Sequence, residues 1–199
     1  MNADRRLTLI LGGARAGKSR YAEQLAEATG QRVLFVATAE VGDESMRRRI
    51  EAHRRSRPQH WRTVEVPLGV AGAIARQGEA FDVAILDCLT LLVSNLICRF
   101  GGDDPEAEGA SLETKSRVEG ELRALTDWFE GSRTHLIVVS NEVGLGLVPP
   151  YALGRAYRDL LGWANAWLAQ RADQVLLMVA GLPVDVKKLA RSVQEETNG

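Results

Sequence analysis

Apolar residues in this chain fall into short unbroken runs, separated by longer stretches in which they recur every three or four positions. The short runs lie at residues 7–11, 33–37, 83–86, 136–139 and 175–179. They are rich in Val, Ile and Leu and mostly lack alternation, which predicts central strands of a parallel sheet covered on both faces. Residues 63–66 predict a short edge piece. Helical spacing predicts helices over 18–28, 43–56, 70–76, 89–100, 112–129 and 151–171. Residues 101–105, Gly-Gly-Asp-Asp-Pro, read as a surface loop and 194–199 as a frayed tail. No repeat, low-complexity tract or linker interrupts this alternation. The pattern therefore predicts one α/β domain over residues 1–199, a mostly parallel sheet flanked by helices.

The first strand runs into a turn that changes this from a fold to a site. Gly12, Gly13, Ala14, Arg15, Ala16, Gly17, Lys18 and Ser19 fit the phosphate-loop pattern G-x-x-x-x-G-K-[ST], with a strand before and a helix after. Glycines let the backbone approach a polyphosphate, and successive N–H groups make an anion nest at a helix N-terminus. Lys18 is placed to reach the β- and γ-phosphates, and Ser19 to hold Mg2+. Asp87, at the end of the run Val83-Ala84-Ile85-Leu86, reads as the second metal contact, although strands also end in Asp for turn or capping reasons.

Composition narrows the partners. The 199 residues are 45% hydrophobic with a net charge of −1, so nothing global points to nucleic acid or an anionic membrane. The N-terminus is polar and no apolar run reaches membrane-spanning length, so a cytoplasmic protein without stable membrane insertion is expected. Cys88 and Cys98 lie ten apart on one predicted helix without His partners, which reads as reduced structural thiols.

Against this balanced charge, residues 43–61 stand out. Arg47, Arg48, Arg49, Arg54, Arg55 and Arg57, with Arg62 just beyond, concentrate positive charge. Most read as a solvated helix face. Met46, Ile50, His53 and Arg57, however, follow i, i+4, i+7, i+11 and share one stripe. His53 thus lies on the inward side among guanidinium groups, where an imidazole is expected to stay neutral and nucleophilic. On spacing alone, a lone histidine in a basic helix is more often structural than catalytic. His60 beside Trp61 reads as a turn residue and His135 as a structural one. Residues 140–150 follow another core strand. There Glu142 and the Gly144–Gly146 stretch suit either an acceptor-orienting lid or a plain capped connection.

Together the segments GGARAGKS, FVATAE, DESMRRRIEAH with RPQHW, LDCLTLLVSNL and VSNEVGLGLVP resemble, in order, the bifunctional adenosylcobinamide kinase / adenosylcobinamide-phosphate guanylyltransferase family of cobalamin biosynthesis. The resemblance spans residues 7–183. It implies a RecA-like phosphate-loop fold and two reactions. One is phosphorylation of the adenosylcobinamide hydroxyl with ATP or GTP, and the other is transfer of GMP from GTP to that phosphate through a guanylyl-histidine. By position, the resemblance places the nucleophile on His53. It places nucleotide contacts on the phosphate loop, on Ala37, Thr38 and Ala39, on Arg54, Arg55, Ser56 and Arg57, and on Glu65 and Asp87. Position 52 is Ala, where some relatives carry a second histidine, so His53 alone is available. The resemblance also implies a homotrimer. Two rival readings remain from the residues: a phosphate-loop small-molecule kinase without a nucleotidyl intermediate, and a RecA-like ATPase using the arginine cluster on nucleic acid. The latter lacks the aromatic stacking residues it requires.

Overall fold

The computed structural model describes residues 5–29, 31–40, 44, 47–48, 51, 54, 57–78, 81–101 and 111–190. Its elements are β1 (Arg6–Gly12), α1 (Lys18–Glu27), β2 (Val33–Ala37), β3 (Arg62–Glu65), α2 (Val70–Ala75), β4 (Val83–Asp87), α3 (Leu89–Phe100), α4 (Leu112–Glu130), β5 (His135–Val139), α5 (Ala152–Arg171), β6 (Gln174–Val179), β7 (Leu182–Asp185) and α6 (Val186–Leu189). Glu44, Arg47, Arg48, Glu51 and Arg54 are also helical, in line with the predicted helix over 43–56.

One seven-stranded sheet has the order β3-β2-β4-β5-β1-β6-β7. Every neighbouring pair is parallel except β6 and β7. The continuous apolar runs are explained by burial on both faces. Leu34 and Val36 of β2 join the core under α2, α3, α4 and α5, while Val33, Phe35 and Ala37 point to the core that holds Ala22 and Ala26 of α1. Fully burying such a side chain contributes about 1.5–3 kcal/mol. β1 sits between β5 and β6, so the phosphate-loop strand is near the centre of the sheet.

Two corrections to the sequence reading arise here. A seventh, antiparallel strand, β7, pairs with β6 across a two-residue turn at Ala180 and Gly181, and α6 follows it. Both turn residues have positive φ, 50° and 84°, the backbone of a tight hairpin. Cys88 is not helical either. It is extended, φ −146° and ψ 161°, and precedes α3, which carries an exposed Cys98. Both cysteines are free.

Candidate active site at the carboxyl edge of the sheet

Parallel strands all deliver their carboxyl ends to one edge, and α/β sheets bind ligands there. The register brings the sequence candidates to that edge together. Ala37 is level with both Glu65 and Asp87, Asp87 with Val139, and Val139 with Ile10, two residues before Gly12.

The phosphate loop owes its shape to its glycines. Gly12 has φ +148°, and a Cβ there would stand 2.7 Å from the Met178 carbonyl oxygen of β6. Gly17 has φ +90° and caps α1 with no side-chain hydrogen bond, so the first-turn N–H groups of α1 are left for an anion. The loop closes on itself. The Ala16 N–H donates to the Gly13 carbonyl at 3.3 Å, and the buried Lys18 ammonium donates to the same oxygen at 2.7 Å. Lys18 is thereby folded over the loop, with Ser19 directly after it on α1.

Residues after β2 are tied to those after β4. The buried Thr38 hydroxyl donates to the Cys88 carbonyl at 2.7 Å and accepts from the Cys88 N–H at 2.8 Å, while Thr38 N–H donates to the Asp87 carbonyl at 3.2 Å. Asn95 of α3 completes the clamp, donating to the Thr38 carbonyl at 2.9 Å. Ala37 and Thr38 are therefore tied to Asp87 and Cys88 across the sheet edge.

Of the described arginines in this segment, Arg54 and Arg57 reach this edge. Arg54 Nε is 3.3 Å from Glu65 Oε1. The Arg57 guanidinium lies 3.7 Å from the centre of the Phe35 ring, a cation–π contact. Burial lowers the pKa of Arg57, and the nearby Asp87, Glu23 and Glu65 carboxylates oppose that shift. His53, Arg55 and Ser56 lie outside the described residues, as does Ala52.

Sequence reasoning missed Glu23, whose pKa is raised first by burial and then by Asp87. Its signal was available, because Glu23 follows Ser19 by four residues and lies on the same face of α1. Asn95 gave no such signal, since its role comes from tertiary contact alone. Glu142 does stand at the site. Its N–H donates to the Gly12 carbonyl at 3.0 Å, and its carboxylate accepts from the Gly144 N–H at 2.6 Å. His135 is structural as expected, bonded to the Thr8 hydroxyl at 2.9 Å. His60 lies in a turn closed by the Trp61 N–H on the Pro58 carbonyl at 3.1 Å.

Ser19 and Asp87 offer hard oxygen donors, which suit Mg2+. No cluster of three His, Cys, Asp or Glu residues forms an all-protein metal cage among the described residues. A site of one or two protein oxygens completed by substrate phosphates is how Mg2+ is usually held.

With this geometry in hand, known proteins decide between the readings. The family described as cobinamide kinase / cobinamide phosphate guanyltransferase matches residues 8–186. The chain belongs to this family. The bifunctional adenosylcobalamin biosynthesis protein CobP of Pseudomonas aeruginosa is 45% identical over 90% of this chain and 96% of its own length. The corresponding protein CobU of Escherichia coli is 38% identical over 91% of this chain and 99% of its own. A solved ATPase domain, 15% identical over 87% of this chain and 69% of that one, has a TM-score of 0.51 and shares the RecA-like fold. Family membership thus joins a kinase and a guanyltransferase to one phosphate-loop sheet.

Proposed function

We propose that this chain phosphorylates the hydroxyl of adenosylcobinamide with ATP or GTP and then transfers GMP from GTP onto the new phosphate. The observation that carries the reading is the match, along nine-tenths of the chain, to relatives named bifunctional, with Lys18 and Asp87 at one edge of the sheet.

In the first step the acceptor hydroxyl oxygen attacks the γ-phosphorus. The bond to the β-bridging oxygen breaks, the nucleoside diphosphate leaves, and the hydroxyl proton is released. Lys18 leaves the Gly13 carbonyl for the β- and γ-phosphates, and the first-turn N–H groups of α1 cradle them. Ser19 and Asp87 would hold Mg2+, which would supply neutralisation of phosphate charge. Glu142, fixed at Gly12, stands where an acceptor hydroxyl is to be oriented.

In the second reaction a neutral His53 nitrogen attacks the α-phosphorus of GTP and pyrophosphate leaves. A phosphate oxygen of the acceptor then attacks the guanylyl phosphorus, breaking the P–N bond and restoring His53. Arg54 and Arg57, beside Glu65 and Asp87, lie at the end of the segment that carries His53 and suit nucleotide charge.

We further read the working form as a cytoplasmic homotrimer. What supports a subunit contact is the exposure of Leu145, 86% exposed, and Leu147, 96% exposed, with Tyr151 and Leu153 after them, apolar surface of the kind that such a contact buries.

Incubation with α-labelled GTP tests the reading. The wild type is expected to acquire an acid-labile, alkali-stable GMP adduct that mass spectrometry places on the His53 peptide. His53→Ala should lose the adduct and guanylyl transfer yet keep phosphorylation of the acceptor. An adduct on Lys18 or His60 sinks this mechanism, and none at all leaves a plain kinase. Light scattering tests the trimer.

A further inference from the structure

Three buried polar side chains meet beneath the carboxyl end of β5, in a mainly apolar core: Ser140, Thr90 at the start of α3 and Asn165 in the middle of α5. Their hydrogen bonds form a chain. The Ser140 hydroxyl donates to Asn165 Oδ1 at 2.7 Å, and Asn165 Nδ2 donates to the Asn141 carbonyl at 2.9 Å. The Asn141 N–H donates to the Thr90 hydroxyl at 2.7 Å. Ser140 N–H and Glu142 N–H then continue the ladder onto β1, donating to the Ile10 carbonyl at 2.9 Å and the Gly12 carbonyl at 3.0 Å.

This chain of bonds joins the parts of the site that must hold a fixed spacing. Gly12 opens the phosphate loop, Thr90 follows Asp87 by three residues, and Glu142 stands between them. Past Val139 the segment 140–142 has lost its strand partner on the β4 side. Thr90 and Asn165 supply the missing partners. An asparagine in a helix interior is a poor helix former and burying its amide costs free energy unless it is bonded. Packing α5 alone would be served by the Leu and Ala that surround it, Leu161, Ala164 and Leu168. The oxygen and the nitrogen of the Asn165 amide are instead bonded to residues 140 and 141.

We propose that Asn165 is a positioning residue for the kinase step: it holds residues 140–142 in the register that sets Glu142 against the entrance of the phosphate loop. It acts through Ser140 and Asn141 and touches no substrate. The proposal rests on the kinase reading given above. Nucleotide affinity depends on it little, because the loop is closed by its own bonds from Ala16 and Lys18 to Gly13.

The test uses the full chain with Asn165→Leu, Asn165→Asp and, as a packing control on the same helix, Leu161→Ala. Kinase kcat, acceptor KM, nucleotide Kd, Tm and the hydrogen exchange of the Glu142 amide are measured for each. Asn165→Leu is expected to lower kcat by about tenfold or more, as small misplacements do, with nucleotide Kd within about threefold of wild type. Its Glu142 amide should exchange faster than in Leu161→Ala. Leu161→Ala should lower Tm while leaving kcat near wild type. Asn165→Asp keeps an acceptor for Ser140 but lacks the donor to Asn141, so it should move kcat and exchange in the same direction. It also carries the test should Asn165→Leu fail to fold. Wild-type kcat in the folded Asn165 variants overturns the proposal, as does Glu142 exchange no faster than in the packing control. A wild type without kinase turnover refutes the functional reading instead, and the exchange data still decide whether Asn165 holds the segment.

Discussion

Lys18 and Asp87 are the single residues on which the proposed site chemistry most depends; the phosphate-loop pattern fixes Lys18, and Asp87 was legible as the carboxylate that ends an apolar strand. Under the proposed function, Lys18→Ala removes the cation that would meet charge on the β- and γ-phosphates. Phosphoryl transfer should fall by about a hundredfold or more while Tm, read by calorimetry, stays close to wild type. His135 makes a different kind of prediction. Burial foremost lowers its pKa to about 4, with the Arg6 charge adding to the shift. An imidazole held below its ordinary value binds fewer protons folded than unfolded between about pH 6.5 and 4. Stability is therefore complete above that window and declines as pH falls through it, by roughly 3 kcal/mol in all. His135→Gln keeps a partner for Thr8 and does not titrate. Denaturant titrations between pH 7 and 4 should show a shallower loss for the variant than for wild type, and parallel curves would refute the assignment. What the sequence hid at this scale is a residue such as Asn95, whose partners Thr38 and Pro67 lie far away along the chain.

Elements were read well where apolar runs are continuous, because a strand buried on both faces leaves an unmistakable string of Val, Ile and Leu. β2 and α3 coincide with their predicted spans, and the edge strand β3 lies one residue before its own. β7 escaped for two physical reasons. As an edge strand it is largely exposed, and its turn, Ala180-Gly181, lacks the Asn-Gly signature of a tight hairpin. Ala180 at φ 50° adopts a left-handed conformation that disfavours a Cβ. Ala180→Asn should therefore raise stability by about 0.5–1 kcal/mol, visible as a higher midpoint in urea. A lower midpoint would show that the alanine methyl matters more than its backbone strain. The same hairpin touches the phosphate loop. A Cβ on Gly17 would stand 3.6 Å from the Gly181 Cα, and one on Gly12 would meet the Met178 oxygen. Gly12→Ala should accordingly weaken nucleotide binding at least about tenfold by calorimetry, since the left-handed φ and the contact both resist it.

At the scale of the whole molecule, the strand order was the least legible feature, because periodicity says nothing about which strands are neighbours. That order has a consequence for how the protein comes into being. β1 is the first strand made, yet it pairs with β5 and β6, the fifth and sixth. Its phosphate loop rests against Met178 and Gly181, near the far end of the chain. On a ribosome adding about 5–20 residues per second, roughly ten seconds or more pass between the emergence of the loop and that of its walls. During that interval the motif is present as sequence but has no binding site. A fragment of residues 1–130 should therefore show no nucleotide binding by calorimetry, and a nascent chain should gain protection by nucleotide only once β6 and β7 have left the exit tunnel. If the fragment fails to bind, nucleotide meets this protein as a finished fold and does not template its early stages.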